Sequence, residues 1–402
     1  MGAVTDRAPT VVAFPFVGEL VGGSHISACG LIRALDRSRF TPLVLLQHPD
    51  GAVGRLFREA GVEVERAPAS AELAHGRRLG PGPVLSVAAR SLHLARFLRE
   101  RQVGIVHCND GRSSATWGLA ARLSGARLVW HHRSSPDSAG LRLVAPLLAD
   151  RVIAVSHFAS PRPGRFSAAS RATVIHSPFD VTQQHGRAAA RTALLHAVPD
   201  ARNSCFVAFS GVLIDRKRPL LFVEAIAALR RKASELDVRG VILGEALDDM
   251  DAQVRRKAEA LGVTDAVHLL GFRAPGPFWL AGCDLLMVPA VEEPFGRTLI
   301  EAMLVGTPVV ATRSGGNVEA IDHERTGLLV PPENPEALAD ACLSLLLDRG
   351  RRAEMASTAQ IQARKRFGIE THAAGVMAIY DELLQSGFGG RPVHRSVGRR
   401  AA

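Results

Sequence analysis

In VPAVEEPFGRTLIEAMLVGTPVVATRSGGNVEAI, residues 288–321, an apolar strand ends near Ala290 and is followed by a loop, a helical pattern and a second strand, TPVVATR (307–313). Pro294 and Gly296 forbid a continuous helix between Glu293 and Glu301. Glu293 therefore belongs to the loop, and Glu301 to the first turns of a helix starting near Arg297. Both carboxylates then face one cleft. The amides at that helix start, around Arg297, Thr298 and Leu299, have no partners within the helix and suit an anion, while the carboxylates nearby accept hydrogen bonds from hydroxyls. Beyond the second strand come Thr312, Arg313, Ser314, Gly315, Gly316 and Asn317, where paired glycines would let the backbone approach a ligand before another helix begins.

The same strand–helix unit recurs outward in both directions. Upstream lie VVAFPF (11–16), TPLVLLQ (41–47), VGIVHC (103–108), ARLVWHH (126–132), RVIAVS (151–156) and ATVIHS (172–177). A second series comprises CFVAFSGVL (205–213), VRGVILGE (238–245), AVHLLGF (266–272), CDLLMVPA (283–290), TPVVATR and GLLVPP (327–332). Short runs rich in Val, Ile and Leu are what parallel strands buried on both faces require, and helical patterns between them imply doubly wound α/β sheets. The expected organisation is two Rossmann-like domains, 1–190 and 191–365, with a helix at about 366–385 returning to the first and a flexible tail over 386–402. Ligands of open parallel sheets bind beyond the carboxyl ends of the strands, so two facing sheets place a cleft between the domains.

Composition narrows the function. A chain of 402 residues with 47% hydrophobic and 22% charged residues can bury a sizeable core. Five cysteines without CxxC spacing fit neither a disulfide framework nor a zinc ribbon and point to a reducing cytoplasm, with Cys108 and Cys283 as core thiols. No signal peptide and no spanning helix is expected. Residues 1–185 hold 22 arginines, no lysine and 13 acidic residues, a net +9, whereas the remainder carries +1. This charge reads as a solvated arginine-rich surface, with attraction to anionic lipid or a phosphorylated ligand as the alternative. The helical stretch 84–101, with Val84, Leu85, Ala88, Leu92, Ala95 and Leu98 on one face, reads as covering the sheet; peripheral contact with a membrane is the other use of such a face. One tyrosine and three tryptophans leave no aromatic platform for nucleic acid. No GxGxxG follows the first strand and no GxSxG occurs, which disfavours a nicotinamide dehydrogenase and a serine hydrolase.

The 288–321 stretch, with TGLLVPP after it, closely resembles the E-x7-E region of the retaining GT-B glycosyltransferases of family 4, the glycosyl transferases group 1. SGVLIDRKRPLLFVEAIAAL (210–229) is similar to that family's phosphate-binding segment, matching at Gly211 and Lys217. The departure is Val212, where many members carry an arginine, so Arg216 or Arg218 is left to share the diphosphate with Lys217. VHLLGF looks like the base-recognition loop, with Gly271, Phe272 and Arg273 beside the nucleobase. Gly22 and Gly23 resemble the glycine pair after the first strand, where ligands approach the backbone. ARLVWHHRSS resembles the segment ending in a functional histidine, placed at His132 with His131 as the alternative. In VIHSPFD, His176, Ser177 and Pro178 stand in place of the usual Asn-Gly.

The resemblance implies a GT-B fold and transfer of a sugar, with retention, from a UDP- or GDP-linked donor to a small-molecule, lipid-linked or glycan acceptor. It implies that Glu301 holds the ribose, that Glu293 and His132 meet the transferred sugar, and that Arg216, Lys217 and the segment Phe295, Gly296, Arg297, Thr298 and Leu299 hold the donor's phosphates without metal or other cofactor. Asp249-Met250-Asp251 resembles a metal motif but reads as acidic residues favouring a helix start. A catalytically silent scaffold that binds a nucleotide sugar, and a nucleotide-sugar epimerase of the same fold, are the competing functions. The sugar, the base, the acceptor and the oligomeric state are not legible.

Overall fold

The computed structural model describes residues 8–19, 21–69 and 81–385. The 386–402 tail and the side chains of Val84 and Leu85 lie outside the described residues. Every apolar run read from the sequence is a strand. The first sheet comprises β1 (Thr10–Phe16), β2 (Phe40–Leu46), β3 (Glu65–Arg66), β4 (Val103–Cys108), β5 (Arg127–His132), β6 (Arg151–Ala154) and β7 (Ala172–Val174). The second comprises β8 (Cys205–Ser210), β9 (Val238–Leu243), β10 (Val267–Gly271), β11 (Leu285–Val288), β12 (Val309–Thr312) and β13 (Leu328–Val330). Only β3 was not legible: it is two exposed residues long and carries no apolar run.

The strand orders are β3-β2-β1-β4-β5-β6-β7 and β10-β9-β8-β11-β12-β13, and the paired strands run parallel. The order reverses between β1 and β4 and again between β8 and β11, which opens a crevice at the carboxyl ends of each sheet. Both faces of both sheets are covered, hence the unbroken apolar strands. On the first sheet, Phe14, Phe16 and Leu31 pack with Val376, Ile379 and Tyr380 of the helix Ile369–Gln385. The opposite face packs Leu94, Leu98 and Trp117.

The helix Pro81–Glu100 covers the sheet, but on a rotated face. Ser91, Leu94, Ala95 and Leu98 are buried, while Ala88 and Leu92 point to solvent. The expected stripe was therefore displaced by part of a turn: with apolar residues on several sides, periodicity alone left its orientation open. Among the described residues no helix is long and apolar enough to cross a membrane. All five cysteines are unpaired, and Cys108 and Cys283 are fully buried.

The two sheets meet through polar ties. Ser156 donates its hydroxyl to the Pro294 carbonyl, and the Glu319 carboxylate accepts from the amides of His157 and Phe158 at 2.7 and 2.9 Å. The Phe179 amide donates to the Phe367 carbonyl at 2.8 Å where the chain returns to the first sheet. Within the second sheet, backbone approaches backbone so closely after β8 and β9 that a Cβ on Gly244 would lie 1.9 Å from the Gly211 carbonyl oxygen. Gly244→Ala is expected to cost at least about 1–3 kcal/mol, read as a lowered Tm, because only backbone movement relieves that clash.

Candidate active site

Between the carboxyl ends of the two sheets lies a cleft of about 1140 Å³. Its second-domain wall is built where β8 ends. Gly211 turns there with φ +134°, a conformation open to glycine, and a Cβ on it would lie 2.8 Å from Lys217 Nζ. The glycine thus makes room for the lysine, which the short helix Asp215–Lys217 aims into the cleft. Beside it Arg216 donates Nη1–H to Glu293 Oε2 at 2.6 Å, and Lys217 Nζ stands 3.7 Å from the same oxygen. Val212 is exposed and does not line the cleft. Of the two arginines left to share its role, Arg216 lines the cleft, whereas Arg218 is tied to Asp215 and Glu333 at 2.5 and 2.7 Å.

Glu293 is buried in the loop after β11. The loop is fixed from behind: the Gly316 amide donates to the Glu293 carbonyl at 2.7 Å, and Ser314 Oγ accepts from the Glu292 amide at 2.9 Å. This corrects the reading of Gly315 and Gly316. A Cβ on Gly315 would lie 2.5 Å from the Glu293 carbonyl, and one on Gly316 would lie 2.5 Å from that of Pro294, so the glycines admit the Glu293 loop rather than a ligand. Phe295 is buried and stacks on His176 with ring centres 4.9 Å apart.

The helix Arg297–Leu304 starts at the cleft, and Arg297 and Thr298 line it. The Arg297 side chain, however, leaves for the first domain. It lies over the Phe179 ring at 4.3 Å and donates to Ser27 Oγ at 2.9 Å. Gly23 lines the cleft, and a Cβ on it would meet Arg297 Cδ at 2.7 Å, so the glycine makes room for the arginine. Nothing lies within 4 Å of a Cβ on Gly22, whose amide donates to His25 Nδ1 at 3.1 Å. Gly22 thus starts a helix, while Gly23 borders both the cleft and the domain contact.

The first-domain wall comes from the ends of β4 and β5. His132 is buried at the cleft and donates Nε2–H to the Ser135 carbonyl at 3.0 Å; burial holds its pKa below the ordinary value. His131 points away, into the core, with Nδ1 3.1 Å from His107 Nε2. The sequence reading missed His25, Asn109, Asp110, Arg112 and Arg133, all on this wall. The rule that ligands gather beyond strand ends would have found most of them, since Asn109 and Asp110 directly follow β4 and Arg133 directly follows β5.

Not every expected donor residue lines the cleft. Leu299 is buried and packs over Gly296, which borders a small side pocket with Lys217, Glu293 and Thr298. Glu301 stands outside, 3.6 Å from Arg297 Nη2, with Oε2 3.9 Å from the place of a Cβ on Gly276. Gly271 (φ +72°) ends β10, and Phe272 and Arg273 follow it; Phe272 is 70% exposed, and Arg273 lies over the Trp279 ring at 5.0 Å. Asp249 faces Arg256 and Gln253 at the start of the helix Met250–Ala260, and among the described residues no group of three or more His, Cys, Asp or Glu side chains is placed to hold a metal ion.

Two family models divide the chain: the glycosyl transferases group 1 model matches residues 196–362, and the Glycosyltransferase Family 4 model matches 21–183. A D-inositol 3-phosphate glycosyltransferase of Paenarthrobacter aurescens is 34% identical over 184 residues, 45% of each chain. The lipopolysaccharide core biosynthesis mannosyltransferase LpsB of Rhizobium meliloti is 29% identical over 185 residues, 45% of this chain and 52% of its own. The chain thus spans about half the length of the curated relatives it matches. Among solved structures, Anabaena Alr3699/HepE in complex with UDP and glucose has a TM-score of 0.77 at 24% identity, over 92% of this chain and 99% of its own. A glycosyltransferase from Rickettsia africae has a TM-score of 0.77 at 18% identity, over 95% and 100%. These likenesses show the GT-B fold.

Proposed function

This chain belongs to the glycosyl transferases group 1, and from that premise we propose that it moves a sugar from a nucleoside diphosphate to an acceptor hydroxyl with retention at the anomeric carbon. The observation that carries the proposal is Glu293, buried at the cleft and bracketed by Arg216 and Lys217. Two cations sharing one carboxylate oxygen leave net positive charge beside it, the charge a departing diphosphate needs. In the proposed step the bond from the anomeric carbon to the phosphate oxygen breaks, a bond to the acceptor oxygen forms on the same face, and the acceptor proton passes to the departing phosphate oxygen. Arg216, Lys217 and the helix-start amides stabilise the leaving group, so no metal is required. Glu293 and His132 orient the transferred sugar. Glu301, with Gly271, Phe272 and Arg273, serves the ribose and base at the outer end.

UDP is the first donor nucleotide to test, since the Anabaena neighbour was solved in complex with it. The relatives' names span an inositol phosphate and a lipopolysaccharide core, which leaves the acceptor open. The test is thermal unfolding against UDP, GDP and ADP, with and without a chelator. A nucleotide at a hundredfold its Kd is expected to stabilise the protein by about 2.7 kcal/mol in the presence of chelator. Lys217→Ala is expected to weaken that nucleotide by about 10- to 150-fold through loss of a charge-assisted contact. Absence of a shift with every nucleotide would overturn the donor site and move a silent scaffold to first place.

A further inference from the structure

Arg133 is a cation without an ion-pair partner. It follows β5 directly and is partly exposed to the cleft, yet among the described residues no carboxylate lies within ion-pair distance of it. Its Nη1 donates to Ser177 Oγ at 3.0 Å and its Nη2 to His131 Nδ1 at 3.4 Å, while Nε is buried without a partner. Burial, then the charge of Arg297, bring its pKa down to about 9 against the opposing pull of the Asp110 carboxylate. Such a group calls for an anion.

The hydrogen bonds around it have one consistent direction. A guanidinium only donates, so His131 Nδ1 accepts, and His107 Nε2, 3.1 Å away, must donate to that same nitrogen. His107 Nδ1 is then an acceptor for the Tyr380 hydroxyl at 2.5 Å. Both histidines are therefore neutral, and a buried chain runs from Tyr380 in the helix Ile369–Gln385 through His107 and His131 to Arg133 at the cleft. The wall beside Arg133 carries further unused donors. His25 accepts the Gly22 amide at Nδ1, so its neutral ring bears the proton on Nε2, which is buried and unpartnered. Asn109 is fully buried, and neither its Nδ2 nor its Oδ1 has a partner. Arg112 adds a second positive charge, whereas the Asp110 carboxylate is turned to the amides of Arg112 and Ser113 at 2.8 Å.

We propose that Arg133, with His25 and Asn109, forms an oxyanion subsite on the first-domain wall that receives a phosphate or carboxylate group of the acceptor, and that the Tyr380–His107–His131 chain is what holds Arg133 in position. The word acceptor rests on the transferase reading; the anion site itself does not. The donor's diphosphate is the other source of such a group, and it has its own cations on the opposite wall, Arg216 and Lys217. Tyr380 and His107 are positioning residues, because they act through Arg133.

The test titrates inorganic phosphate onto the full chain, alone and saturated with UDP, followed by the fluorescence of Trp130 in the cleft wall and by thermal shift. The expected result is a phosphate response that persists with UDP bound and that Arg133→Gln weakens about 10- to 100-fold, with UDP affinity kept. Arg133→Lys, which keeps the charge, is expected to restore part of it. Tyr380→Phe keeps the ring but removes the hydroxyl donor, and is expected to weaken phosphate about 3- to 10-fold. A phosphate response that UDP abolishes, or that survives Arg133→Gln, would overturn the subsite. If Tyr380→Phe lowers Tm without changing phosphate affinity, the positioning role is overturned. If UDP does not bind while phosphate still depends on Arg133, the transferase reading fails and the anion site stands.

Discussion

Glu293→Gln is expected to cut turnover by about 10²- to 10³-fold while nucleotide affinity stays the same or tightens. The two effects separate because, under the proposed function, Glu293 has two jobs. Toward the sugar it is an acceptor of hydroxyl hydrogen bonds, and an amide of the same size loses the charge that strengthens them. Toward Arg216 and Lys217 it is a competitor for the donor's phosphates, at 2.6 and 3.7 Å. Neutralising it frees both cations for the diphosphate. Steady-state kinetics beside UDP titration reads the split. A variant that loses nucleotide binding and turnover in parallel would show that Glu293 mainly holds the phosphate cations in place.

Stability is expected to fall steeply on acidification, by about 5 kcal/mol between pH 7 and pH 5. Burial holds His107 and His131 well below the ordinary histidine range and brings His372 to about 3. In the unfolded chain these three rings take up protons as the pH drops through about 6.5, while in the folded chain they do not. The unfolded state then binds more protons, so folding stability is full above about pH 7 and is lost below it, by up to about 1.4 kcal/mol per pH unit for each ring. Three rings together reach the size of a domain's whole stability. Denaturant midpoints at pH 7, 6 and 5 measure it. His372→Asn, whose amide can still donate to the His176 carbonyl that His372 Nδ1 meets at 2.7 Å, is expected to remove about a third of the loss. Midpoints that do not move between pH 7 and pH 5 would show that water or rearrangement accommodates the charged rings.

Local pattern was enough for the sheets and for the second-domain wall of the cleft. The strands announce themselves as apolar runs, and Lys217, Glu293 and Thr298 meet through short segments whose glycines and prolines fix the turns. What stayed hidden depends on distance along the chain. Arg133 is one arginine among many until Ser177 and His131 are seen around it, and the bond between His107 and Tyr380 joins residues 273 positions apart. Gly23, Gly315 and Gly316 were legible as places of close approach, but not as to what approaches: Arg297 in one case and the Glu293 loop in the others. Orientation was the remaining gap, as in the helix Pro81–Glu100, whose buried side follows Leu94 and Leu98 rather than Ala88 and Leu92.

The helix Ile369–Gln385 supplies Ala373, Val376, Ile379, Tyr380 and Leu383 to the core under β1 and β2. A nascent chain makes those strands long before that helix. Until the helix is made, the first domain therefore has an apolar face that the helix does not yet cover, while the second domain already has every strand of its own sheet. Translation order and folding order run opposite ways here: the domain begun first is finished second, and its exposed face in the meantime is the surface a chaperone would meet.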